Sequence, residues 1–177
     1  MTTSEFPLIV TLADAAHGRT IAVEADADAR EAIARRLGLV ALNRFSLSAE
    51  VRVVAGGIAA KGEVSADVVQ ACAATDLPVP ATLAEAFDLR FLRDVDAPAS
   101  EDDEIEIEIG SEDLDLLPLD GDRIDLGEAA VQTLSLALDP FPRHPDATRI
   151  LAEKGVLSEE AAGPFAALAK LRGKPDA

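Results

Sequence analysis

There is no tryptophan and no tyrosine in this chain, and its aromatic content is six phenylalanines. Proteins that grip single-stranded nucleic acid without sequence preference stack bases on exposed rings in register, so this composition speaks against such a platform. Basic residues are scarce as well: 16 Lys and Arg stand against 33 Asp and Glu, a formal charge of −17. Phosphate-led binding draws its affinity from lysines and arginines that displace counterions, which this balance opposes. A basic protein is the easier partner, and any association with RNA is expected to be indirect.

Cysteine is almost missing. Cys72 is the only one, which rules out an intramolecular disulfide and points to a reducing compartment. No apolar run approaches the length of a membrane span, and Met1 to Phe6 carry no basic residue and lead to no small-residue cleavage site. A cytoplasmic protein is expected, with neither membrane nor DNA as a partner; a plastid protein freed of its transit peptide would read the same way. The 177 residues suit one domain with a substantial core plus a tail.

Against these absences stands one segment with both helix ends written into it, Asp125 to Pro145. Asp125 and Glu128 have capping-box spacing, Leu126, Ala130, Leu134 and Leu138 fall on one helical stripe with Ala137 beside them, and Pro140 forbids continuation. A helix is predicted over 126–138. Asp28 with Glu31 predicts a second capped helix that carries Ala29, Ile33 and Leu37 and ends at Gly38 behind Arg35 and Arg36. From Phe45 the period changes to two, and after Gly56-Gly57 it resumes to Val68, which predicts a long hairpin. The small residues Ala60, Gly62 and Ala66 on its inner face suggest a close approach by a helix, or a tight bend. Phe6–Leu12 and Thr20–Ala25, joined by Asp14–Arg19, read as a first strand pair; Phe87, Leu89 and Phe91 mark another strand, as do Ile105, Ile107 and Ile109. Ala147–Lys154 could add a short helix before Gly155.

The segment from Asp122 to Pro142 resembles the YceD family, also called DUF177, through its pattern Asp-x-Ile-Asp-Leu-Gly-Glu followed by Leu-Ala-Leu-Asp-Pro-x-Pro. The closing Pro164-Phe165-Ala166-Ala167-Leu168-Ala169-Lys170-Leu171 and the strand Gly62–Cys72 are similar to the family as well. The resemblance covers nearly the whole chain and is most specific in its second half. It implies a bacterial protein, with plastid relatives, needed for accumulation of large-subunit ribosomal RNA. Many members carry a nearby cysteine pair, and this chain departs from that with Ala73, Ala74 and Thr75 after Cys72.

Several residues are candidates for a site. Phe141, Arg143 and His144 lie among prolines that hold the backbone extended, and so could present an aromatic, a cation and an imidazole to a partner; the alternative is a helix stop that packs Phe141 into the core. Phe165, Leu168 and Lys170 belong to a short amphipathic helix at 164–172, too short to stand alone in water and so expected to dock, on its own domain or on a partner. Arg35, Arg36, Arg44 and Arg52, with Arg30, could converge into an anion patch or simply pair with nearby acids. Glu104, Glu106 and Glu108 share one strand face, where they could meet a basic protein, hold a cation or merely stay solvated. One cysteine with His17 and His144 far apart in sequence gives no zinc spacing, and a Cys72–His144 dyad is the remaining thiol reading.

The expected architecture is α+β: an antiparallel sheet built around the hairpin 45–69, two capped helices packed on it, a domain over residues 1–145, and a flexible tail over 146–177 with the helix 164–172. The expected function is a non-catalytic ribosome-biogenesis factor without cofactor or metal, acting through contact with an assembly factor or basic ribosomal protein. The alternatives are a metal-assisted or thiol-dependent hydrolase, and direct rRNA binding through the arginine patch.

Overall fold

A computed structural model describes residues 4–93 and 115–156 of the chain. In chain order it contains β1 (Ile9–Thr11), α1 (Leu12–Ala15), β2 (Arg19–Glu24), α2 (Ala27–Leu37), β3 (Ala41–Val54), β4 (Gly57–Ala71), β5 (Pro78–Leu92), β6 (Asp115–Pro118), β7 (Arg123–Asp125), α3 (Leu126–Ala137) and α4 (Ala147–Glu153). The fold is α+β. Two compact units divide the chain, the first made of Met1–Val69 with Pro80–Leu138 and the second of Gln70–Val79 with Asp139–Ala177.

The first unit is organised by the hairpin. β3 and β4 pair antiparallel from Val54↔Gly57 to Ala41↔Val69, and the alternation read from the sequence puts Phe45, Leu47, Ala49 and Val51 on the buried face beside Ile58, Ala60, Val64, Ala66 and Val68. β2 adds along the outer edge of β3, and β5 and β6 follow β4 on the other side. β5 is antiparallel to β4, since Thr82 bonds Asp67 and Lys61 pairs with Asp88, positions that advance in opposite directions. β6 runs parallel to β5, so the five-stranded sheet is antiparallel except at this last pair. α2 and α1 lie on β3, and Phe6 meets Phe45 edge-on at 5.4 Å.

Four expectations are corrected. β1 does not pair with β2: it pairs with β7, Ile9↔Asp125 to Thr11↔Arg123, while β2 pairs with β3. The reason is local, because Thr11 and Asp14 form a reciprocal capping box that turns the chain into α1 where a hairpin loop was expected. α2 begins two residues early, with Asp26 as its cap accepting from the Ala29 amide at 2.8 Å. The close approach at Gly62 comes from the neighbouring strand, since a Cβ there would strike the Ser48 carbonyl and Ala49, not a helix. Finally, Glu128 does not complete a capping box at α3; Asp125 caps the helix alone, accepting from Gly127 and Glu128.

α3 buries Leu126, Ala129, Ala130, Val131 and Leu134, a broader face than the predicted stripe. The chain is already extended at Leu138, ahead of Pro140. The strand expected around Ile105, Ile107 and Ile109, and the terminal helix 164–172, lie outside the described residues.

Candidate functional site

The conspicuous motif Asp125-Leu126-Gly127-Glu128 is spent on holding the first unit together. Asp125 Oδ1 accepts the Leu8 amide at 3.1 Å besides capping α3, and the Leu126 amide donates to the Leu8 carbonyl at 2.9 Å. Gly127 must be glycine because a Cβ would run into the Phe6 carbonyl. Glu128 takes two bonds of 2.7 Å from Arg36 on α2, and the same guanidinium reaches Glu5 at 2.8 Å. These bonds hold Glu128 and Glu5 below the ordinary carboxylate range, and they hold Arg36 firmly charged. The four residues thus fasten the N-terminal segment across the start of α3.

Arg36 is therefore occupied. Arg35 pairs with Glu31 one helical turn away, and Arg30 donates to the Ala25 carbonyl at 2.7 Å. Arg44 and Arg52 sit eight residues apart on β3, roughly 26 Å along an extended strand. The fold does not bring Arg35, Arg36, Arg44 and Arg52 together.

The second unit turns its motif outward. Its described part consists of the turn after β4 and the segment Asp139–Val156 laid along it. The Cys72 carbonyl closes the turn by accepting from Thr75 and Asp76, the latter at φ 59°, and the Ala73 amide donates to the Pro142 carbonyl at 2.8 Å. Gln70 Nε2 holds the Asp139 carbonyl at 2.9 Å, and Asp139 Oδ1 accepts the Phe141 amide at the same distance. Pro142 is buried between these anchors while Phe141 is 75% exposed and Arg143 is exposed. Phe141 does not pack into the core. An aromatic ring and a guanidinium project from a backbone pinned on both sides.

Cys72 and His144 do meet, though not as a dyad. The His144 amide donates to Cys72 Sγ at 3.3 Å, while Nδ1 of its ring accepts the Asp146 amide at 3.1 Å. The thiol is buried, yet it is held down at about 7, first by the hydrogen bond from the His144 amide and then by the nearby Thr75 hydroxyl. No sequence spacing signals this, because the donor is a backbone amide 72 residues away. Among the described residues no group of three or more His, Cys, Asp or Glu is placed to hold a metal ion. No described helix is long and apolar enough to cross a membrane. Glu104, Glu106, Glu108, Phe165, Leu168 and Lys170 lie outside the described residues.

The family model described as large ribosomal RNA subunit accumulation protein YceD matches residues 60–172. The chain belongs to the YceD family. That match takes in β4 from Ala60 onward, the Asp125 motif, the Phe141 segment and the closing residues around Phe165, the stretches whose motifs carried the resemblance, and it does not extend over the first 59 residues. No curated protein and no solved structure matches the chain. For this YceD chain the family ties the molecule to large-subunit rRNA accumulation, and the geometry divides its motifs into one that closes the first unit and one that offers side chains to solvent.

Proposed function

We propose that the protein is a non-catalytic ribosome-biogenesis factor that supports accumulation of large-subunit rRNA by holding a basic assembly factor or ribosomal protein. The observation that carries this reading is Phe141, a ring 75% exposed on a backbone held by Gln70, Ala73 and its own Asp139. Exposed aromatics on pre-ordered backbone anchor protein interfaces, because little entropy is lost when they are covered. The formal charge of −17 favours a basic protein over bare RNA. Phe165, Leu168 and Lys170 belong to the same reading as a second, tail-borne contact, and Cys72 enters it as the residue whose sulphur orders the His144 amide.

The test places a photo-crosslinking phenylalanine analogue at position 141 in cells. The expected adducts are with a basic protein of large-subunit assembly, and Phe141→Ala with Arg143→Ala should lower mature large-subunit rRNA while the purified variant melts as the parent does. Adducts with rRNA alone, or normal rRNA in that double variant, would remove the reading.

A further inference from the structure

In the first unit, β6 is the last strand of the sheet: β5 pairs with it on one side and no described strand lies on the other. α3 runs beside it. Between them Leu116, Ala129, Thr133 and Leu136 enclose a groove of about 280 Å³, which continues past Asp115 into a second depression of about 320 Å³ bordered by Glu85. Leu136 is 87% exposed and Leu116 51% exposed. A lone exposed leucine is ordinary, but two that flank an apolar floor beside a strand edge form a patch. Asp88, also on this border, is answered by Lys61 at 3.0 Å, whereas no ion pair forms at Glu85 or Asp115 among the described residues.

We infer that this groove takes an extended basic peptide of a partner protein, which adds to the edge of β6 that no described strand covers and drops alternate apolar side chains between Leu116 and Leu136. Strand addition gives the amides and carbonyls along this edge main-chain partners, and the period of two sends one set of side chains into the groove and the other toward the rim. Lysine or arginine at the rim positions meets Glu85 and Asp115. Charge selects the occupant: an acidic segment would be repelled by the same carboxylates. The inference rests on the reading that the protein works through protein contacts, and it supplies a second surface and the chemistry that fits it.

The probe is a labelled peptide alternating lysine with valine and leucine, titrated into the full chain by fluorescence anisotropy with hydrogen exchange followed at 115–117. Binding is expected to slow exchange there and to weaken about tenfold or more in Leu136→Lys and in Leu116→Lys, with melting temperatures near that of the parent because both side chains are exposed. A peptide N-methylated at alternate amides, or carrying glutamate for lysine, should bind far less. Unchanged affinity in both leucine variants overturns the inference. So does binding that emerges only when residues 94–114 are replaced by a Gly-Ser linker, since the groove is then covered from within. Phe141→Ala should leave peptide affinity unchanged, so a failure here is separable from a failure at Phe141.

Discussion

Arg36 and Glu128 are joined by two parallel hydrogen bonds of 2.7 Å across 92 residues of sequence, with Glu5 on the same guanidinium. Both carboxyls sit below the ordinary glutamate range, chiefly because Arg36 donates to them. A depressed folded value means the contribution is whole above the unfolded glutamate value of about 4.3 and disappears as pH falls through the lower folded value. Glu128→Gln should therefore flatten the acid limb of the stability curve below about pH 4.5. Because the side chains are 24–36% exposed, its cost at neutral pH should not exceed about 1 kcal/mol. Chemical denaturation across pH measures both; an unchanged acid limb would show the clamp to be idle.

Gly127→Ala sets two effects against each other. Alanine is favoured over glycine in a helix by at most about 1 kcal/mol, less in the first turn where Gly127 sits, but its Cβ would strike the Phe6 carbonyl. Backbone is slow to yield, so a net loss of about 1–3 kcal/mol is expected. Ser135→Ala, exposed on the same helix, should be neutral or slightly stabilising. Denaturant midpoints for the pair decide whether the N-terminal segment is pressed against α3.

Leu134 is 1% exposed. Leu134→Asp strands a carboxylate in the core at a cost of several kcal/mol, on the order of a small domain's stability. The variant should be unfolded by circular dichroism. Gln132→Ala loses only an exposed bond of 3.0 Å to Glu128 and should melt within a few degrees of the parent.

The Cys72 thiol should titrate near 7 in the native protein and above 8 in denaturant, read from thiolate absorbance. His144→Ala keeps the backbone amide and should leave that midpoint in place, whereas an imidazole dyad would lose it. The stabilisation from the thiolate is complete above the unfolded value and is lost as pH falls through about 7. Burial should keep alkylation slow in the folded state at either pH.

What could be read from the residues was whatever repeats locally. Alternation from Phe45 to Val68 gave the hairpin and its buried face, and Gly38, at φ 66°, ended α2 as expected. Capping was legible as chemistry but not as partnership. Glu128 has capping-box spacing, yet Arg36 offers two charge-assisted bonds, stronger than one bond to a neutral amide. β1 lost its expected partner for a similar reason, since a strand of three residues pairs wherever distant chain arrives, here at β7. At the candidate site, prolines around Phe141 marked extended backbone, but its exposure depends on Gln70 and Ala73, residues unremarkable in sequence. The amide donor to Cys72 carried no side-chain signature at all.

The bond from the Leu8 amide to Asp125 spans 117 residues. During synthesis Leu8 leaves the ribosome well ahead of its seat on α3, which emerges only after those residues are added, roughly 6–23 s later at ordinary elongation rates. Closing so long a loop early is entropically unfavourable, so the segment should dock last, and substitutions at Gly127 or Arg36 should accelerate unfolding while leaving the refolding rate almost untouched. Until α3 has appeared, the nascent chain therefore carries Leu8 without the Asp125 carboxylate and the Leu126 amide that hold it in the fold.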